Sequence, residues 1–300
     1  YCFGSQNKNL LTDISIDKDL YIANNVTLNG NSHNIQINGN WVNRGTFNPA
    51  SSTITLNGSR SQIIDNYNPE EFFNLIINNQ SNNFPQIDLY TSLYISGNSL
   101  QLIKGIVESS SDQMFTIGQN VILTGGDNNQ SYVSGPVTKI GNTNFVFPIG
   151  DGLKFAPLAI SNITSNNTFV AQYLEQPYSD IANIAADLDH VSGYEHWTLN
   201  RIAGTDNPIV TFYWQDGAAS GIDNLATLTT ALYQGGQWIN TNTPPTTGTL
   251  LPRTITSPTP LTTSPPRAFG ATTPTHHPFH SHTPPTGPTP PPSDNPNHRP

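Results

Sequence analysis

Short runs of alternating apolar residues, separated by Asn- and Gly-rich turns, repeat along the chain from Leu10 to about Leu123. Apolar residues at every second position place one face of a strand on a core and the other in solvent. Asn and Gly tolerate the positive φ angles that sharp corners need. The pattern therefore predicts an all-β fold. Representative runs are residues 20–22, 26–28, 35–37, 53–56, 75–77, 93–95, 100–102 and 121–123.

Two architectures fit this repeat over residues 1–126. Asn-Gly between alternating runs is typical of two-residue hairpins, which would stack as antiparallel sheets. Strands of about three residues with frequent corners equally suit a parallel β-solenoid, in which each turn stacks on the last. We favour the solenoid, because such strands make poor hairpin arms and Asn-rich corners can stack as ladders. Residues 65–72 interrupt the pattern and read as an insert.

Residues 127–251 contain longer and more aromatic strand candidates, with Gly, Asn and Asp turns between many of them. This spacing predicts an antiparallel β-sandwich. No alternation of strands and helices is visible, which argues against nucleotide-binding α/β folds. The nine candidates begin near residues 132, 136, 145, 158, 169, 196, 209, 226 and 237.

Composition limits the partners that we expect. Only 10% of the residues are charged, against roughly 25% in ordinary soluble domains, and the net charge is −9. We do not expect an acidic chain without a Lys/Arg patch to bind nucleic acid, because its charge repels the phosphate backbone. Its apolar runs are too short to span a bilayer. The single Cys2 rules out an internal disulfide. No signal peptide is visible, so either it was removed or the chain is an internal piece of a longer protein, and we favour the second.

Several short sequence motifs, in the order in which they occur along the chain, resemble the passenger regions of large secreted Bacteroidota proteins that carry a C-terminal type IX secretion sorting domain. The resemblance covers residues 20–263 and implies export to the outer cell surface, with no site residues to transfer. Such regions often close with Thr-Ser-Phe-Ser-Pro-Phe-Ala-Leu-Gly, whereas residues 264–270 here differ, so we expect this chain to lack the sorting domain. The phrases are Trp-x-Asn-x-Gly-x-Phe at 41–47, Phe-Asn-Leu-Ile-Ile-Asn-Asn at 73–79, Gly-Pro-Val at 135–137, Phe-Pro-Ile-Gly at 147–150 and Glu-x-Trp at 195–197.

The tail, residues 252–300, has a different composition, with 15 of the 25 prolines and five of the eight histidines. Too few apolar residues remain to offset the entropy of ordering, so we expect disorder with polyproline stretches. The switch in composition also suits a frameshifted reading of the usual ending. The clustered imidazoles, at His276, His277, His280 and His282, lack the supporting residues of a metal site.

The densest titratable cluster carries no recognisable catalytic motif. His190 and His196 are six residues apart, whereas a zincin needs two His four residues apart on one helix face. The distance between carboxylates, which governs glycosidase chemistry, is not readable from sequence. We expect a solvated loop there, and we identify no catalytic, cofactor or metal residue. Asp127 and Asp151, beside glycines, leave calcium as the one cofactor to consider, although turn formation is the simpler role. The cluster comprises Asp187, Asp189, His190, Glu195 and His196.

Three aromatic residues are candidates for ligand contact. Trp41, close to Phe47 among glycines, forms either a sugar-stacking platform or part of the core. Tyr213 and Trp214, just before the Asp216-Gly217 turn, either pack inside or reach an exposed rim.

These observations favour a non-catalytic, secreted structural or adhesion module of the cell surface, with extracellular glycans or surface proteins as partners. The first alternative is a carbohydrate-binding module of a polysaccharide-degrading protein, which would show aromatic side chains on one exposed face. The second is a β-helix lyase or hydrolase, which needs a row of carboxylates or basic groups on one solenoid face. Asp13, Asp17, Asp19, Asp65 and Asp88 fall at ends and turns rather than in one column.

Overall fold

A computed structural model describes residues 2–4, 7–152, 154–222, 224–244, 253–258, 260 and 265–272. The described residues form 31 β-strands and no α-helix, so the prediction of an all-β fold is confirmed. None of the described segments offers a helix of the length and apolarity that crossing a membrane requires.

The first nineteen strands build a three-sided β-solenoid of about six turns. Each turn supplies one strand to each side; β2, β3 and β4 form the first full turn and β17, β18 and β19 the sixth. The strands are β1 (Lys8–Asn9), β2 (Ile14–Ile16), β3 (Leu20–Ile22), β4 (Thr27–Asn29), β5 (Ile35–Ile37), β6 (Trp41–Asn43), β7 (Thr46–Asn48), β8 (Thr53–Leu56), β9 (Gln62–Asn66), β10 (Glu70–Phe72), β11 (Asn74–Asn78), β12 (Ile87–Leu89), β13 (Leu93–Ile95), β14 (Ser99–Lys104), β15 (Val107–Glu108), β16 (Phe115–Ile117), β17 (Ile122–Gly125), β18 (Val133–Ser134) and β19 (Val137–Gly141).

Parallel pairing decides between the two predicted architectures. Within the described residues, strands β1 to β19 pair with one another only in parallel, which confirms the solenoid and excludes stacked hairpins. On the six-stranded side the repeat length varies between 19 and 25 residues, because the loops between sides differ in length. Successive partners on one side are Ile14, Ile35, Ile54, Leu75, Leu100 and Leu123.

Alternating side chains divide between a dry core and a polar outer surface. Inward residues such as Ile22, Ile37 and Leu75 are fully or almost fully buried in one continuous apolar cluster. On the outside, Asn29 Nδ2 donates to Asn9 Oδ1 at 2.8 Å and Asn48 Nδ2 donates to Asn29 Oδ1 at 2.7 Å. The predicted asparagine ladder is therefore confirmed on this side of the solenoid.

The interpretation of residues 65–72 as an insert was wrong. Asp65 and Asn66 complete β9, and Glu70 begins β10, so the segment belongs to the third turn. Two glutamates in sequence hid the strand, because Glu70 points inward and breaks the apolar alternation. Its side chain is buried, and its partners are described below.

Two of the parallel ladders continue past residue 126. Pairing becomes antiparallel where β19 meets Asn167–Leu174 and where Ile149–Asp151 meets Lys154–Phe155. The remaining strands are β20 (Phe145–Phe147), β21 (Ile149–Asp151), β22 (Lys154–Phe155), β23 (Leu158–Ser161), β24 (Asn167–Leu174), β25 (Leu188–Val191), β26 (His196–Ala203), β27 (Ile209–Trp214), β28 (Leu228–Gln234), β29 (Gln237–Asn240), β30 (Arg253–Thr256) and β31 (Arg267–Thr272).

Two antiparallel layers follow the solenoid. One extends the third solenoid side in the order β19-β24-β26-β31-β28-β29, and the other is a four-stranded sheet, β20-β23-β27-β30. Aromatic rings join them: Trp197 lies 5.3 Å from Phe212 between ring centroids, and Trp214 lies 5.6 Å from Phe269. These four rings belong to the same apolar cluster as the solenoid core, and two smaller buried clusters, one around Trp238 and one around Tyr132, are separate from it.

The prediction of disorder from residue 252 onward was wrong for two segments. β30 pairs with β27, and β31 lies between β26 and β28 in the large sheet. Ala268 and Phe269 of β31 are buried, which supplies the apolar contact that the composition of the tail concealed. Residues 273–300, including the four clustered histidines, lie outside the described residues.

Candidate functional site

Trp41, the first predicted ligand contact, faces the core. It is fully buried, and its ring packs edge-on against Phe47 and Phe72, each with centroids 4.8 Å away. The alternation of β6 explains this placement, since Trp41 and Asn43 point inward while Val42 points outward. Of the two alternatives for Trp41, the ligand contact is therefore wrong and the core position, which the sequence favoured, is correct.

One buried carboxylate, that of Glu70, joins two neighbouring turns of the solenoid. Glu70 Oε2 accepts hydrogen bonds from Trp41 Nε1 at 3.0 Å, Asn43 Nδ2 at 2.9 Å and Asn66 Nδ2 at 3.0 Å. We call these four residues the inner clamp. Burial raises the pKa of Glu70 above its ordinary value, and the three side-chain donors oppose that shift.

The opposite face of the same strands carries a charged pair covered by an aromatic ring. The guanidinium of Arg44 donates to Asp65 and to the carbonyl of Asn43. The Tyr67 ring lies over this guanidinium at 4.5 Å from the Arg44 carbon to the ring centroid. Arg44 and Asp65 side chains are only 18% and 23% exposed, whereas Tyr67 is 80% exposed. The hydrogen bond to Asp65 also raises the pKa of Arg44.

Two further tyrosines lie on the same face of the eight-stranded sheet. Tyr21 faces outward on β3, beside Val42 of β6, which in turn pairs with Asp65. Tyr90 follows β12, and its amide donates to the Ile64 carbonyl at 2.9 Å, which places it beside Asp65 on the next turn. Tyr90 is 58% exposed. We call Tyr21, Arg44, Asp65, Tyr67 and Tyr90 the outer strip.

Acidic residues adjoin the outer strip. Asp88, two residues before Tyr90, also faces outward on β12 and pairs in register with Glu108 of β15. Partial burial raises the pKa of both carboxyls, and the charge of Asp88 raises that of Glu108 further. The two groups therefore give this side of the sheet a local negative potential.

Tyr213 and Trp214 have different environments. Trp214 is 2% exposed and packs on Phe269, so its proposed ligand contact is wrong. Tyr213 is half-buried and lines a mainly apolar cavity of about 340 Å³ beside Leu123, Val146 and Phe155. Alternation along β27 accounts for the opposite directions of the two rings.

The predicted titratable cluster does not form one site, and its interpretation as a solvated loop was wrong for two members. Glu195 and His196 are buried. Glu195 Oε2 accepts hydrogen bonds from Lys154 Nζ and Tyr173 Oη, each at 2.6 Å. Burial, then the charge of Glu195, raises the pKa of Tyr173. Burial lowers the pKa of His196, whose Nδ1 lies 2.8 Å from the Gln176 carbonyl.

The other members bind elsewhere. Asp187 Oδ2 accepts from Asn240 Nδ2, and His190 pairs with its neighbour Asp189 at the surface. For calcium, Asp127 accepts from the Asn128 side chain and Asp151 accepts the amide of Glu175. Across the described ranges, no group of three or more His, Cys, Asp or Glu residues is placed to hold a metal ion.

A polar cleft of about 530 Å³ crosses the corner that precedes the eight-stranded sheet in the first three turns. Asp17 and Asp19 line the cleft, and both accept hydrogen bonds from other residues that line it. Asp17 accepts from the Asn38 side chain and Asp19 from the Asn40 backbone amide. Gly39 is required there, because an added Cβ would lie 2.4 Å from the Lys18 carbonyl carbon. These contacts reinforce the corner.

Comparison of the chain with protein-family models, with curated proteins and with solved structures found no match. The functional argument therefore depends on the geometry of this chain alone.

The sequence-based interpretation missed Arg44, Tyr67 and Tyr90 as surface residues. The signal that would have identified them is the alternation of inward and outward side chains along a strand. Counting alternate positions outward from Val42 reaches Arg44, and counting from Asp65 reaches Tyr67. The presumed insert at residues 65–72 hid that count.

Proposed function

We propose that this chain is a non-catalytic structural or adhesion module, secreted to the outer cell surface. One observation carries the proposal: six solenoid turns continue directly into antiparallel layers, and one large apolar cluster runs through both. Such a body suits a stiff spacer that holds a binding face away from the cell. We further infer that the two antiparallel layers form a β-sandwich, which would present loops at its ends.

Secretion and surface location are part of the same proposal. They are supported by the resemblance to type IX cargo and by the neutral polar exterior, in which Asn ladders take the place of charged side chains. An antibody against the chain should label intact cells of the source organism, and deleting the type IX translocon should abolish labelling. Labelling only after permeabilisation would contradict the location.

The adhesive role is tested separately. Beads coated with the purified chain should be retained on cells or extracellular matrix of the same organism, above the retention of albumin-coated beads. Incubation with soluble polysaccharides should release no new reducing ends. Steady release that scales with protein concentration would show an enzyme and overturn the proposal.

A second candidate, a carbohydrate-binding module of a polysaccharide-degrading protein, is favoured by the outer strip. Tyr67 and Tyr90 are both more than half exposed on one face of one sheet. A flat face with exposed aromatic rings suits the apolar faces of sugar rings. Both candidates use the strip as a binding surface, and they differ in whether an attached catalytic domain is present.

A further inference from the structure

We propose that the outer strip binds a neutral polysaccharide chain, stacked on Tyr67 and Tyr90 and hydrogen-bonded by the Arg44–Asp65 pair. This inference rests on the proposed surface role and names its ligand class. Tyr21 lies on β3 and Asp65 on β9, while Arg44, Tyr67 and Tyr90 directly follow β6, β9 and β12, so the strip crosses four solenoid turns.

Tyr67 provides a stacking surface that is already oriented. One face of its ring covers the Arg44 guanidinium, and the residue is nevertheless 80% exposed. The other ring face is therefore open to solvent. Aromatic faces carry negative potential, and the C–H groups on a sugar face carry positive potential, so the two attract. The cation beneath the ring fixes its tilt.

The Arg44–Asp65 pair supplies hydrogen bonds at the edge of this ring. A guanidinium has five donors in a fixed plane, and a carboxylate has two acceptor oxygens. The contacts with Asp65 and the Asn43 carbonyl hold that plane in place while 18% of the Arg44 side chain stays exposed. Vicinal hydroxyls of a sugar match such a paired donor and acceptor.

The length of the strip indicates a chain rather than a single sugar. Tyr90 lies beside Asp65 on the neighbouring strand, and Tyr67 is two residues beyond Asp65. With a strand spacing of about 4.8 Å and a rise of about 3.3 Å per residue, the two stacking positions are about 8 Å apart. That distance exceeds one hexose ring. A monosaccharide would reach one tyrosine, whereas an oligosaccharide would contact several at once.

Charge selects a neutral ligand. Arg44 and Asp65 neutralise each other, and the adjoining Asp88 and Glu108 are anionic. The whole chain carries a net charge of −9. Uronate-rich polysaccharides would therefore be repelled from this face, and a neutral chain would not.

The inner clamp makes the strip rigid before the ligand arrives. Glu70 ties Asn43, next to Arg44, to Asn66, which lies between Asp65 and Tyr67. Side chains that are fixed in advance lose less entropy when they bind. The buried clamp and the exposed strip are thus two faces of the same strands.

Affinity electrophoresis of the full chain tests the inference, with hydroxyethylcellulose, xyloglucan or galactomannan in the gel, and alginate or polygalacturonate as anionic probes. We expect at least one neutral polysaccharide to retard the wild-type chain and the anionic ones to leave it unaffected. The double variant Tyr67→Ala/Tyr90→Ala should bind at least about tenfold more weakly. Its unfolding temperature should match the wild type, because both side chains are mostly exposed.

Tyr194→Ala is the matched control, since Tyr194 is 60% exposed but lies outside the solenoid. It should bind as the wild type does. Equal retardation of wild type and double variant would overturn the role of the strip, as would tighter binding to alginate than to any neutral probe. Wild-type chain that no neutral probe retards would also overturn the inference, while the bead-retention assay would still decide the adhesive role on its own.

Discussion

Lys154 Nζ lies 2.6 Å from Glu195 Oε2 and joins the last strand of the eight-stranded solenoid sheet to the start of β26. Glu195 is 1% exposed, and Tyr173 Oη donates to the same oxygen. The Lys154 ammonium also lies 5.7 Å from the centroid of the Tyr173 ring. A buried carboxylate at this junction therefore depends on one cation and one hydroxyl.

Lys154→Met should destabilise the chain by about 3–5 kcal/mol, because it leaves Glu195 buried without its cation. Urea unfolding measures the change. The double variant Lys154→Met/Glu195→Gln should recover part of the loss, since no charge then remains to be solvated. A Lys154→Met chain as stable as the wild type would show that the pair contributes nothing at this junction.

Glu70→Ala should destabilise the chain by at least about 2 kcal/mol, because three buried or half-buried donors lose their acceptor. Glu70→Gln keeps one carbonyl oxygen and should cost less. The raised pKa of Glu70 sets the pH dependence: its stabilisation is full below the unfolded pKa and is lost as pH rises through the folded value. Thermal unfolding between pH 4 and 7 should show wild type losing stability relative to Glu70→Gln, and parallel curves would contradict this.

Lys139 is buried and donates to the Gly118 carbonyl, and burial lowers its pKa from 10.5 to about 8. A depressed pKa stabilises the fold above the unfolded value, and that contribution is lost as pH falls through the folded one. Between pH 8 and 10.5 the wild type should gain roughly 1–2 kcal/mol relative to Lys139→Met, with solvent screening included. Unfolding of both chains at several pH values measures this difference, and a constant difference would contradict it.

Arg267→Met should stabilise the chain, on the order of 1–3 kcal/mol, because an apolar side chain avoids the cost of burying a cation. Arg267 is 1% exposed, its Nε has no hydrogen-bond partner among the described residues, and burial lowers its pKa to about 10. Differential scanning calorimetry should show a higher unfolding temperature. A lower one would mean that the guanidinium contributes more than its desolvation costs.

The sequence predicted the all-β class because period-two alternation and Asn-Gly corners are local properties. It left stacked hairpins open and favoured the parallel solenoid because the strands are short. It also located the nine strand candidates from residue 132 to 239. It did not reveal β30 and β31, because proline-rich flanks suggested that the segment lacks a core. The apolar contacts of Phe269 come from β26 and β27, which are distant in the chain.

The site was harder to predict than the fold. Trp41 attracted the functional interpretation because large aromatic residues beside glycines suggest binding, yet its parity along β6 directs it inward. The role of Glu70 depends on Trp41 and Asn66 from two different strands, and Arg44 meets Tyr67 only because the turns stack in register. Composition and short motifs carry no information on such pairings.

Strand β19 is parallel to β16 on one edge and antiparallel to β24 on the other. The solenoid and the antiparallel layers are therefore joined by backbone hydrogen bonds along both edges of β19 as well as by the chain itself. Under tension the two parts would act as a single lever arm. Detachment would then require rupture of a ladder, and a bound particle would be held at a set height.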